Sequence, residues 1–562
     1  MYPGACRTDR HVAFMFPRSN VDRGFHILPV DEYPCDRVRC LAHHITFGES
    51  SPDMRRTTLL LALQATFALH GQIDIPLQWS TCSGGTAWES ALGVTALADG
   101  GCVLTGFSYS WLGATDFNHG GSDFWVSRLT ADGVVAWQRS LGGSLNDVAC
   151  AAVELPNGDI FIAGYTESPS GEFGNGPAAI VVRISATGAV LSFHRYGGAL
   201  GAKAHDLRAT PDGGFILVGS TASSDGDIVG HHGGTGVGGT PTHDAWLVKA
   251  DANGVIEWQL PLGGTGYDVG NGVVIAADGA YMISGYTNSN NGDVPDLHLG
   301  GAELWEDMWV AKVSTSGNLL WARAIGGSET EYGDDISATS DGGAVVVGHG
   351  ESGNGDLQGF GWATGMLAAK VSADGDLLWL KRIPNNDMNN RTSIVTDDEG
   401  HHWLAASTPT DLRIVELGVN GGTQQNQTYG GSDAEYGTDI VADALGLFVV
   451  ATTTSNDGDV SGNHGNADGW VLRFATDLNG VAEVVQPRPM VIVGGANIAV
   501  DMGPLAMGRT CEIFDAAGRM IKTVVLDQRP QTIATNDLAT GSYCAVVRTA
   551  SGRLHARFEI LQ

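Results

Sequence analysis

Asp212-Gly213-Gly214-Phe215-Ile216-Leu217-Val218-Gly219 reads as a tight turn feeding a short buried strand, and it recurs as Asp341-Gly342-Gly343-Ala344-Val345-Val346-Val347-Gly348. Looser copies are Asp99-Gly100-Gly101-Cys102-Val103-Leu104-Thr105-Gly106 and Asn157-Gly158-Asp159-Ile160-Phe161-Ile162-Ala163-Gly164. Further copies begin at Asp278-Gly279, Asp398-Glu399-Gly400 and Ala444-Leu445-Gly446, which makes seven. Glycine supplies the positive φ of the turn, and β-branched residues favour the pleated strand after it.

Working outward, most copies continue with an Asp-x-Trp-aliphatic strand: Asp123-Phe124-Trp125-Val126, Asp244-Ala245-Trp246-Leu247, Asp307-Met308-Trp309-Val310 and Asp468-Gly469-Trp470-Val471. A hairpin at Asp132-Gly133, Asn253-Gly254, Ser316-Gly317 or Asp374-Gly375 follows, with Trp137, Trp258, Trp321 or Trp379 four residues after its glycine. Gly-Gly pairs then begin at positions 84, 142, 197, 263, 326 and 430. Each unit holds about four short strands, the size of a propeller blade. The sequence therefore predicts an all-β chain: a seven-bladed β-propeller over 72–484, a linker at 485–490 and a small C-terminal β-sandwich over 491–562. The last repeat runs through Trp470 but lacks its own outer Trp and Gly-Gly. Leu77-Gln78-Trp79-Ser80-Thr81-Cys82-Ser83-Gly84-Gly85 supplies both, so this N-terminal strand is expected to complete the final blade and protect the sheet edges of an open array.

Ahead of the repeats lie two unlike pieces. Met54-Arg55-Arg56 followed by the apolar run Thr57 to Leu69 has the form of a signal peptide over 54–71, too short for a comfortable membrane span. Residues 1–53 then read as an upstream extension ahead of the true initiator; a cytoplasmic extension before a membrane anchor is the alternative. Beyond residue 71 the chain keeps 23 basic against 55 acidic residues, within a whole-chain charge of −31. That charge excludes nucleic acid and anionic membranes as partners and suits a soluble extracellular protein. Five cysteines remain there, of which Cys511 and Cys544 either pair after export or stay as buried thiols.

The C-terminal segment carries Cys511-Glu512-Ile513-Phe514-Asp515-Ala516-Ala517-Gly518-Arg519-Met520-Ile521 and Asp537-Leu538-Ala539-Thr540-Gly541-Ser542-Tyr543-Cys544-Ala545-Val546-Val547, with a last strand at 554–560. It resembles the C-terminal sorting domain of proteins exported by the type IX secretion system of Bacteroidota, although the usual Pro-Asn-Pro opening is replaced by Pro487-Arg488-Pro489. The repeats resemble the β-propeller proteins found beside such domains. The resemblance implies outer-membrane translocation by the type IX export machinery acting on 491–562, then release or surface anchoring, often with removal of the domain.

Candidate chemistry sits in the loops. Asp225-Gly226-Asp227 and Asp457-Gly458-Asp459, with Asn291-Gly292-Asp293 and Asn354-Gly355-Asp356, alternate oxygen ligands as a Ca²⁺ site does. Asx-turns that satisfy loop backbone are the plainer reading, and Asp225, Asp227, Asp457 and Asp459 are the metal candidates. The Asp-x-Trp indoles either stack on sugars or pack between blades, the latter favoured by their repetition. The hairpins of Asp132-Gly133 and Asp374-Gly375 recur in the manner of the sialidase Asp-box, with glycine one position early. His231-His232, His243 and His401-His402 offer metal or catalytic roles, against a solvated loop. No nucleophile elbow, phosphate loop or zinc-protease motif is present, and no catalytic or cofactor-binding residue is assigned. The expected function is a non-enzymatic secreted or outer-membrane-surface scaffold that binds protein or glycan through loops on one ring face. The rival is an extracellular hydrolase or lyase acting on polysaccharide at the central channel, with non-repeating polar residues converging there. A structural role in a surface layer is a third reading.

Overall fold

The computed structural model describes residues 76–475 except 112–117, 296, 299–304 and 385–390, together with strands and a few adjoining residues between 490 and 560. The extension, the signal-peptide segment and 476–489 lie outside the described residues.

Seven four-stranded antiparallel sheets form the repeats. Blade 1 runs Glu89–Ala96, Cys102–Ser108, Asp123–Leu129 and Val135–Leu141, and blades 2 to 6 follow over 147–196, 202–262, 268–325, 331–384 and 393–429. Blade 7 takes Glu435–Asp443, Gly446–Thr453 and Asp468–Phe474 from the end of the repeats and Leu77–Ser83 from their beginning. Cys82 pairs with Trp470 and Ser83 with Gly469, as the missing outer strand required.

Where a blade carries both an Asp-x-Trp and an outer-strand tryptophan, the two have different tasks. Trp125, Trp246, Trp309 and Trp470 are fully buried. Trp246 packs with Phe161, Ala163 and Val181 of the preceding blade, and Trp309 with Ile216 and Val218 of blade 3. The outer-strand tryptophans instead reach forward. Trp79, Trp137, Trp258 and Trp321 donate Nε1 to Ala131, Ala186, Thr315 and Ala373 carbonyls of the next blade's hairpin, at 3.0–3.1 Å. Each ring also lies against a hairpin glycine: a Cβ on Gly317 would sit 2.8 Å from the Trp258 ring. These turns therefore need glycine twice, for a φ of 79° at Gly317 and for the space its indole neighbour fills.

Gly317→Ala is expected to lower stability by about 2 kcal/mol or more, combining left-handed strain with displacement of the indole. Gly176→Ala, at a φ of 83° with nothing within 4 Å, should cost only the strain of about 1 kcal/mol. Urea unfolding midpoints of the two variants check the difference.

The C-terminal part is a three-stranded sheet (Met490–Gly494, Asn497–Asp501, Gln531–Ala534) and a four-stranded sheet (Met520–Val525, Thr510–Asp515, Gly541–Thr549, Gly552–Ile560). Strands Met490–Gly494 and Gly552–Ile560 bring the two together as a small sandwich. Its first strand opens at Met490, inside the span read as linker. The ladder sets Cys511 opposite Val547 and Cys544 opposite Phe514. Three ladder steps separate the two cysteines, more than the Cα spacing a disulfide spans. Cys82, Cys102 and Cys150 are buried free thiols, the first two pushed up to about 12 by burial.

Candidate functional site

The innermost strands surround a channel of about 370 Å³. Most of them carry a bulge at one shared position, as at Ala204/Asp206, Gly333/Asp335 and Gly437/Asp439. Just after it stand Asp206, Asp335 and Asp439 in blades 3, 5 and 7, against Gly272, Ser393 and Gly93 in blades 4, 6 and 1. The small residues leave each carboxylate room to reach the next blade. Asp206 accepts the amides of Leu207 (2.8 Å) and, in blade 4, Val273 (2.9 Å). Asp335 accepts Ile336 and Ile394, and Asp439 accepts Ile440 and Val94, all at 2.7–2.9 Å.

Ser393 Oγ lies 2.6 Å from Asp335 Oδ2 and 2.7 Å from Asp439 Oδ1. One hydroxyl proton cannot serve both, so an added proton is favoured here. Burial, and then the charge of Asp335, raise Asp439 to about 6. Arg208 pairs with Asp206. Burial alone would lower its pKa, but Asp206, Asp335 and Asp439 together raise it. His205 Nδ1 donates to the Gly270 carbonyl (2.9 Å) and the imidazole is lowered to about 4 by burial, while burial lifts Cys150 to about 11. Polar residues that break the repeat do converge on the channel. Their carboxylates, however, accept backbone amides, the Ser393 hydroxyl and the Arg208 guanidinium, and burial disfavours both the His205 imidazolium and the Cys150 thiolate. The arrangement makes a locked hub.

The loops between second and third strands and those between blades share the other functional candidate, one ring face. There the sequence-read Ca²⁺ candidates cap backbone. Asp225 and Asp227 accept the amides of Ala199 (2.7 Å) and Gly197 (3.0 Å); Asp457 and Asp459 accept those of Ser432 (2.7 Å) and Gly430 (3.1 Å). The Ca²⁺ reading gains no ligand set from this geometry: among the described residues no three His, Cys, Asp or Glu side chains converge on a common point.

The aspartate of Asp-x-Trp has a role that sequence reasoning missed. His119, His232, His298 and His464 place Nδ1 2.6–2.8 Å from Asp123, Asp244, Asp307 and Asp468, and their own amides donate to the same carboxylates. The signal was a histidine before each motif, obscured by its variable distance. A second hidden rule joins five of the six Gly-Gly pairs to an acid four residues after the second glycine, the pair at 197 having Ala202 there. Gly143 donates to Asp147 at 2.7 Å, and Gly327 to Glu331 and Gly264 to Asp268 at 2.8 Å.

His231, but not the exposed His232, departs from the expectation of a solvated loop. His231 is 4% exposed with Nε2 3.6 Å from Asp244, the carboxylate that also holds His232. The pair lies in a loop, where strand alternation does not keep neighbouring side chains apart. His402 is likewise buried and lowered to about 4 by that burial, and His401 meets Glu416 at 3.0 Å.

Exposed aromatics gather on this same face in two groups, from blade 1 and from blades 4 and 5 across the ring. Trp88, Tyr109 and Trp111 (73% exposed) form the first; Trp305, Phe360 and Trp362 (62% exposed) form the second. Arg382 steadies the second group, donating to the carbonyls of Gly361 (2.6 Å) and Ser352 (2.5 Å) beneath Phe360.

The fold and these two sites define the chain as a seven-bladed β-propeller with a C-terminal sandwich. No protein-family model matches it, and no curated protein matches its sequence. Among solved structures it is similar to the extracellular domain of BT4673 from B. thetaiotaomicron, a protein assigned to the hybrid two-component systems (10% identity, TM-score 0.38, 84% of this chain). The alignment spans 57% of that protein's chain. It is also similar to PorZ, a surface component of the type-IX secretion system of Porphyromonas gingivalis (11% identity, TM-score 0.33, 88% of each chain). A third similar structure is the polysaccharide lyase Uly1 (11% identity, TM-score 0.40, 70% of this chain and 90% of that one). No helix among the described residues is long and apolar enough to cross a membrane.

Proposed function

We propose that this chain is a secreted or cell-surface binding scaffold, without catalytic activity, that recognises glycan through its aromatic loop face. On this reading residues 54–71 direct export and 491–562 act as the sorting domain engaged by the type IX machinery. The observation that carries the binding role is the exposed aromatic set, Trp88, Tyr109, Trp111, Trp305, Phe360 and Trp362. It departs from a repeat whose other tryptophans are spent on packing. Exposed indoles offer large, rigid contact area at small entropic cost, and such residues dominate binding energetics. The channel supports no comparable reading, since its carboxylates already hold the ring together.

The test is binding of soluble polysaccharides to the full chain and to the double variant Trp111→Ala/Trp362→Ala. Affinity should fall tenfold or more with the thermal midpoint unchanged. Polysaccharide turnover by the unmodified chain, or affinity unaltered in the double variant, would overturn the proposal.

A further inference from the structure

Blade 4 breaks the repeat at one interior position, and a cavity opens there. In blades 1 and 3 the buried indole donates to a glutamine that follows the outer-strand tryptophan: Trp125 Nε1 to Gln138 Oε1 at 2.9 Å, and Trp246 Nε1 to Gln259 Oε1 at 2.8 Å. Gln259 Nε2 then donates to the Val229 carbonyl in the neighbouring loop, at 2.9 Å. Blade 4 has Ala322 in place of that glutamine and Pro295 in place of Val229. The indole N–H of Trp309 is left without an acceptor, as is that of Trp470 in blade 7, where Ser80 stands in the glutamine's place. A cavity of about 230 Å³ has Ala322 and Pro295 in its wall, the two positions a glutamine would bridge.

The rest of that wall is polar on both sides of the hydrogen-bond ledger. Trp321, Arg323, His298, Asp356 and Asp374 contribute to it. Arg323 Nε is buried with no partner. Its Nη2 stands 3.9 Å from Asp356 Oδ1, and His298 Nε2 stands 3.7 Å from Asp356 Oδ2. Both gaps are too long for good hydrogen bonds, and the other contacts of Arg323 and Asp356, to the Gly375 carbonyl (3.5 Å) and the Gly326 amide (3.4 Å), are long as well.

We propose that this cavity is a subsite for one pyranose unit of a neutral glycan. The volume is below the range of drug-sized pockets and suits a single sugar ring. Sugar hydroxyls both donate and accept, as a wall of two carboxylates, a guanidinium and an imidazole requires. Those charges nearly balance, which disfavours an anionic ligand, and Trp321 supplies an apolar surface for the C–H face of the ring. The subsite deepens the glycan reading above and rests on it.

The full chain is titrated with free D-glucose, D-galactose and D-mannose, and with D-glucuronate as the anionic control, by saturation-transfer NMR. At least one hexose should bind more tightly than glucuronate. Ala322→Gln restores the side chain that blades 1 and 3 carry, so it should keep or raise the thermal midpoint while weakening that hexose tenfold or more. Asp374→Asn, on a surface hairpin, should weaken it about fivefold and serves if Ala322→Gln fails to fold. No hexose binding by the unmodified chain, a preference for glucuronate, or equal binding by Ala322→Gln overturns the subsite. Polysaccharide binding that depends on Trp111 and Trp362 would still stand in that case, which separates the two proposals.

Discussion

Deleting residues 76–83 is expected to abolish cooperative unfolding of the propeller at neutral pH, because it turns a closed ring into an open array. The lost strand supplies a ladder to Asp468–Phe474 and places Cys82 in the core of blades 6 and 7. It also supplies the forward joint to blade 1: Trp79 Nε1 on Ala131, Thr81 Oγ1 on the Gly133 carbonyl (2.9 Å), and Ser83 Oγ beside Ser127 Oγ (2.8 Å). At roughly 1 kcal/mol for each hydrogen bond, plus the buried surface, the loss is about 5 kcal/mol or more. That is comparable to the whole stability of a typical domain. The readout is urea unfolding followed by tryptophan fluorescence and by amide circular dichroism. Two separated, shallow transitions are expected where the intact chain gives one. A single transition of unchanged midpoint would show that the strand does not close the ring. Trp79→Ala and Trp137→Ala offer a finer comparison, since both indoles make the same forward contact, and near-equal losses are expected.

Arg208→Met should destabilise the channel in a pH-dependent way. Arg208 is the cation shared by Asp206, Asp335 and Asp439, and 37% of its side chain faces the lumen. Losing one partner of a dry buried pair costs roughly 3–5 kcal/mol. The solvent-accessible lumen screens part of this, so about 2 kcal/mol is expected at pH 8. The sign with pH follows from Asp439. Its folded pKa of about 6 lies above the ordinary carboxylate value of 3.8, so the folded ring binds the proton more tightly than the unfolded chain. That contribution to stability is fully present below about pH 4 and is lost as pH rises through about 6. Without Arg208 the carboxyls of Asp206 and Asp439 rise further, so the variant should lie close to the unmodified chain at pH 5 and fall behind it at pH 8. Thermal midpoints across that interval decide the matter, and a deficit independent of pH would remove Arg208 from the role of shared cation.

The seven repeats, the closure through Trp79 and the burial of Trp125, Trp246, Trp309 and Trp470 were legible because turn chemistry and strand alternation are local and were written seven times over. The histidine–aspartate joints were not, since His232 and Asp244 are twelve residues apart whereas His119 and Asp123 are four. His231 was misjudged by applying strand geometry to a loop. By itself the sequence determined a ring of seven blades closed by the Trp79 strand and the turns where glycine is required. Only the tertiary structure decided what the departures from the repeat do. Asp206, Asp335 and Asp439 become joints because small residues face them on neighbouring blades. Ala322 becomes a cavity because Pro295 faces it from a loop 27 residues away. Which residues meet across blades depends on the curvature of the whole ring, a property that no single repeat contains.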